Sequence, residues 1–162
     1  MRAELEDIMS QVTIDTLEKL AFMFAFSDES GEDPPRDSTV AGSVSFTGPF
    51  SGTLIVMISI EVLQELAANM LGLDDGEEAT QDHQFDALKE TMNVICGNLL
   101  PAIAGDEVVF DINVPMVLPA DQEMKKGAGI PDAHELSAKV NLDLEEGQCV
   151  LFLFLDGKIS KG

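Results

Sequence analysis

The chain has no tryptophan and no tyrosine, so its interior must be built from aliphatic residues, 9 Phe and 8 Met. It has only 2 cysteines, Cys96 and Cys149, too few for a disulfide framework or a four-ligand zinc site. Positive charge is scarce: 9 Lys and Arg stand against 30 Asp and Glu, a formal net charge of −21. Such a surface repels phosphate backbones, so no nucleic acid is expected as the main ligand. Anionic lipid heads are disfavoured for the same reason, and no membrane partner is expected. A protein with a basic patch, or one carrying a metal cation, would be drawn in. No uncharged apolar stretch approaches the roughly 20 residues that a bilayer span needs. The first residues, Met1-Arg2-Ala3-Glu4-Leu5-Glu6-Asp7, are acidic where a secretory signal is basic and then apolar. The cytoplasm is therefore the expected compartment.

What remains is 162 residues, 45% hydrophobic and 24% charged, which fits one ordinary globular domain spanning 1–162. Residues 2–26 read as a first helix, with Ile8, Val12, Leu17, Leu20 and Phe24 at helical spacing. Residues 27–37 are a polar break rich in Gly and Pro. Residues 38–59 alternate and read as a hairpin turning at Thr47-Gly48-Pro49. Ser59 can cap a short helix over 60–71, stopped by Gly72. A long helix is expected over about 83–104, with Pro101 inside it as a kink or early stop. Residues 108–118 read as one strand, placed at an edge by Pro115. Residues 134–145 and Cys149–Leu155 form a second hairpin around a Glu146-Gly147 turn, the latter strand apolar enough to lie mid-sheet. The expected fold class is α+β: an antiparallel sheet of about five or six strands with two long helices and a short one, in two layers. Helix plus hairpin occurs in each half, a hint of duplication.

The long helix carries the informative pattern. On a wheel advancing about 100° per residue, Glu90, Asn93 and Gly97 fall within roughly 40° of Asp86. Leu88, Met92, Ile95, Leu99 and Ile103 cluster on the other side, facing a core. Two choices on the polar stripe work against helix stability. Asp86 and Glu90 are like charges one turn apart. Gly97 in a helix interior costs about 1 kcal/mol relative to Ala, and leaves bare backbone one turn beyond Asn93 where a partner can approach closely. Taken alone, the stripe reads first as a solvated face with a tolerated glycine.

The stripe spells Asp-x3-Glu-x2-Asn. The segment DALKETMNVICGNLL resembles the signature helix of the CheC/CheX/FliY chemotaxis phosphatases, whose pattern is Asp or Ser, three residues, Glu, two residues, Asn. TLEKLAFMF and SVSFTGPFSGTLIVMIS are also similar to that family, as is the order of elements. The resemblance implies a CheC-like fold and hydrolysis of the aspartyl phosphate on a CheY-like response regulator. By that likeness, Asn93 would orient the attacking water and Glu90 would pair with the regulator's lysine. Asp86 would add affinity or orientation, with Gly97 open to the partner. No cofactor or metal is expected in this chain, and Mg2+ would come with the regulator. CheC-type members carry the motif on both long helices. Here, laying Glu18 on the motif's Glu puts Ala21 where Asn belongs and Ile14 at the first position. One site per chain resembles the CheX type, and a homodimer follows from the resemblance. A second reading is a non-catalytic adaptor that binds a receiver domain or a flagellar switch component.

Other candidates read as structural. His83 and His134 lack ligand spacing and read as surface histidines. Cys96 and Cys149 read as buried thiols. Asp74-Asp75-Gly76-Glu77-Glu78 lacks the alternating ligands and terminal Glu of a calcium loop and reads as a solvated loop. Phe22-Met23-Phe24 reads as core or dimer contact.

Overall fold

The computed structural model describes residues 2–28, 30–73, 79–119 and 136–156. The acidic run 74–78 and His134 lie outside them.

The first helix, α1 (Arg2–Ala21), buries Leu5, Met9, Thr13, Thr16, Leu17 and Ala21. This face recurs every fourth residue or so, as an amphipathic helix requires. Helical spacing alone would carry the helix on to residue 26. It stops at Ala21 because Phe22 turns left-handed, at φ 55, with its N–H donating to Glu18 O at 2.9 Å. That closure is the αL helix ending normally taken by glycine. The Asn69 amide reaches across to cap the Ala21 carbonyl at 2.8 Å. Beyond the stop the chain is extended. Met23 and Ala25 point inward, while Phe22, Phe24 and Phe26 are exposed. Phe24 therefore leaves the core stripe expected of it.

Among the described residues, seven antiparallel strands form one sheet in the order β1-β6-β7-β3-β2-β4, with β5 also paired to β2. They are β1 (Phe26–Ser27), β2 (Thr39–Thr47), β3 (Ser51–Ser59), β4 (Asp111–Ile112), β5 (Met116–Pro119), β6 (Leu136–Leu144) and β7 (Gly147–Asp156). A 3-10 turn, Arg36–Ser38, leads into β2. The count exceeds the expected five or six for two reasons. β1 is a two-residue addition on the outer edge of β6. The single strand expected over 108–118 is broken into β4 and β5, because Pro115 has no N–H for a ladder. Asn113 holds the gap instead, its backbone N–H on Ser45 O at 2.9 Å and its amide on Ser45 Oγ at 2.7 Å. Both pieces lie at the sheet edge, where Pro115 placed them. β7 runs between β6 and β3, so the most apolar strand is central. The β6–β7 turn is Glu145-Glu146, one residue earlier than expected.

One face of the sheet carries the helices. Val44, Phe46, Leu54, Val56, Ile58, Val140, Leu142, Leu151 and Leu153 alternate inward to meet them. The other face carries a polar strap. Asp33 accepts from Lys139 Nζ and Asn141 Nδ2, each at 3.0 Å, and Asp28 accepts from the Gln148 amide at 3.2 Å. The short helix α2 (Ile60–Leu71) buries Val62, Leu63, Leu66 and Ala67, and ends at left-handed Gly72 as expected. Ser59 precedes it without capping it through its side chain, since Ser59 Oγ accepts the Gln148 N–H from β7 at 3.0 Å. The long helix α3 (Gln81–Ala104) is two residues longer than expected at its start. Thr80 caps it, Oγ1 accepting from the His83 N–H at 3.1 Å. α1 packs over β6 and α3 over β2, so each long helix rests on the hairpin from the other half of the chain.

Candidate functional site

α3 is anchored along its inner face. Leu88, Met92, Ile95, Cys96, Leu99 and Leu100 are buried. Burial of each large side chain contributes of order 2 kcal/mol to holding the helix down. Two features set its height and rotation. Gly42 in β2 leaves room for Met92: a Cβ there would stand 2.5 Å from Met92 Cε. Thr91 Oγ1 donates to Ala87 O at 2.8 Å and lies 3.6 Å from Met70 Sδ of α2.

With Met92 fixed beneath, the residue after it points outward. Asn93 is exposed, as are Asp86, Glu90 and Gly97. The structure thus brings all four expected site residues onto one open face of α3. Successive members stand three or four residues apart, about 4.5–6 Å along the helix. A carboxylate and a neutral amide sit side by side there, with no wall of protein over them. A Cβ at residue 97 would meet no atom within 4 Å.

The sequence reading missed one property of this face. Pro101 remains inside the helix, which continues to Ala104 instead of stopping early. Proline has no N–H, so the Gly97 carbonyl receives no i+4 helix bond. The signal was present in sequence as glycine followed four residues later by proline.

The corresponding face of α1 has no such amide. Glu18 is exposed, but Ala21, in the position of Asn93, is fully buried and Ile14 is half-buried. Burial pushes the Cys96 and Cys149 thiols up to about 12, which keeps both protonated and unreactive. His83 is exposed. Among the described residues no group of three or more His, Cys, Asp or Glu is placed to hold a metal ion. No helix among them is long and apolar enough to cross a membrane.

Two long helices and a short one packed on an antiparallel sheet are the fold shared with CheX and CheC-like chemotaxis proteins. The family model described as chemotaxis phosphatase CheX matches residues 40–129, and the chain belongs to that family. Solved structures agree on the fold. CheX from Vibrio vulnificus is 17% identical with a TM-score of 0.71, covering 96% of this chain and 99% of that one. A CheX from Desulfovibrio desulfuricans is 18% identical with a TM-score of 0.68, covering 94% and 99%. CheX from Borrelia burgdorferi, solved in complex with CheY, BeF3 and Mg2+, is 17% identical with a TM-score of 0.65, covering 93% and 97%. No match is found among curated proteins.

Proposed function

We propose that this chain hydrolyses the aspartyl phosphate of a CheY-like response regulator. The observation that supports the reading most directly is the joint exposure of Glu90 and Asn93 on one face of α3. Family membership and the Borrelia relative's complex with CheY support a receiver domain as the partner.

The chemistry asks little of the enzyme. An acyl phosphate already has a good leaving group, so what is missing is a water held in line with phosphorus. The water oxygen bonds to phosphorus, the bond from phosphorus to the aspartyl oxygen breaks, and the regulator's carboxylate leaves. The Asn93 carboxamide suits the task because its oxygen accepts from the water and its nitrogen donates, without the charge that would repel phosphoryl oxygens. Glu90 pairs with the regulator's lysine and sets register between the proteins. Asp86 adds to affinity, and Gly97 lets the partner's backbone approach. Mg2+, carried by the regulator, neutralises phosphoryl charge when bound. The family likeness further implies a homodimer, to be read by sedimentation.

The test is a time course of phosphate loss from candidate phosphorylated receivers. Asn93→Ala is expected to abolish the acceleration while leaving binding largely intact, whereas Glu90→Ala weakens docking as well. Wild-type turnover by Asn93→Ala would overturn the assignment. Binding of the phosphorylated receiver without a shortened lifetime would identify the adaptor reading instead.

A further inference from the structure

Directly after α1 the chain reads Phe22-Met23-Phe24-Ala25-Phe26 and alternates in burial. Met23 and Ala25 are inside, while Phe22, Phe24 and Phe26 are 78%, 64% and 70% exposed. Three phenyl rings in water on one five-residue segment are a patch, not scattered surface residues. They are not surplus from a packed helix face, since α1 has already ended at Ala21. Phe22 even holds a left-handed backbone that glycine would occupy without strain.

The rings border a groove of about 330 Å³, floored by Met23 and Leu144 and flanked by Glu65, Asp143 and Glu145. Glu65 and Glu145 also line an adjoining groove of about 510 Å³, which adds Glu61 and Glu146. The two form one trough between α2 and the β6–β7 turn, aromatic at one end and acidic along its length. No Lys, Arg or His is among its described lining residues. Burial raises the Glu65 carboxyl above the ordinary glutamate range, and Glu146 and Glu145 add to the shift. The free protein thus holds mutually repelling carboxylates beside an uncovered apolar ridge, and a cationic occupant relieves both.

We infer that this trough docks a basic amphipathic helical segment of a partner protein, apolar face on Phe22, Phe24 and Phe26 and Lys or Arg on Glu65, Asp143 and Glu145. Charge complementarity selects that occupant. A second copy seated trough to trough would set Glu65, Asp143 and Glu145 against the same carboxylates. None of the lining residues belongs to α3. The surface therefore shares no residue with the Asn93 ridge and stands whether or not the phosphatase reading does.

The probe is a synthetic amphipathic peptide, leucines on one helical face and lysines on the other, titrated against the full chain by fluorescence anisotropy. A lysine peptide of equal length without leucines is the control for general attraction to an acidic protein. Phe24→Ser with Phe26→Ser is expected to weaken the amphipathic peptide by about tenfold or more and to leave the lysine peptide unchanged. Glu65→Gln with Glu145→Gln is expected to weaken the amphipathic peptide and flatten its salt dependence while the rings stay in place. Circular dichroism melts confirm that each variant is folded. Equal affinity of the serine variant and the wild type for the amphipathic peptide overturns the inference. A wild-type dimer that the serine changes convert to monomer in sedimentation also overturns it, because the occupant is then a second copy.

Discussion

Replacing Gly97 with alanine separates stability from function in a way that few substitutions can. The residue lies in the interior of α3, eight positions after Lys89 and well before the end at Ala104. Glycine there costs about 0.8–1.0 kcal/mol relative to alanine, because its unfolded backbone has more freedom to lose. A Cβ at 97 would meet nothing within 4 Å, so no clash offsets the gain. Gly97→Ala should therefore raise stability by about 1 kcal/mol, a rise in Tm of roughly 2–4 °C for a chain of this size. In the proposed docking, the same methyl group stands where a regulator's surface comes close to the Asn93 ridge. An outward displacement of the docked partner by about 1 Å is enough to spoil in-line attack, so the dephosphorylation rate should fall roughly tenfold or more. The assay pairs a far-ultraviolet melt with the phosphate-loss time course on one protein preparation. General damage lowers both readouts, so a higher Tm with a slower rate can only come from an exposed glycine kept for an approaching partner. An unchanged rate alongside the higher Tm refutes the docking role of Gly97. An unchanged Tm refutes the premise that residue 97 is unencumbered helix.

Two further expectations concern stability alone. Burial raises the Glu65 carboxyl, with Glu146 and Glu145 acting in the same direction, so its folded pKa exceeds the unfolded one. Such a group's stabilising contribution is complete below the unfolded value and is lost as pH rises through the folded value. Glu65→Gln should therefore melt above wild type at neutral pH, with the gap closing as pH falls below the ordinary carboxylate range; a gap independent of pH contradicts this. Gly52→Ala in β3 would set a Cβ against the Phe154 carbonyl oxygen and 2.8 Å from Phe46 Cζ. Backbone cannot swing aside as a side chain does, so a loss of roughly 1–3 kcal/mol is expected in urea titration, and a neutral outcome would show that β3 and β7 can separate locally.

Residues 83–104 were legible because six turns of helix repeat both the apolar and the polar stripe, and one misplaced residue cannot blur so long a pattern. The hairpins were legible for a similar reason: β2–β3 and β6–β7 are long, alternating and bounded by turn residues. The end of α1 was not. Phe22, Phe24 and Phe26 supply hydrophobicity without core, so the apolar signal ran on past the stop. The stop depends on a left-handed phenylalanine and on Asn69, a residue from a distant helix. β1 could not be read because two residues paired to β6 carry no period of their own. At the ridge, side-chain identities were readable, whereas the Gly97 carbonyl required counting backbone donors.

The crossed seating of the helices has a consequence for how the chain is made. α1 is synthesised well before β6, the strand that supports it. Until then the apolar face of α1 lacks the strand it rests on in the native fold. Contacts of such sequence span make for slow, late commitment to the native state. Nascent chains stalled before residue 136 should accordingly need chaperone shelter until the β6–β7 hairpin is made.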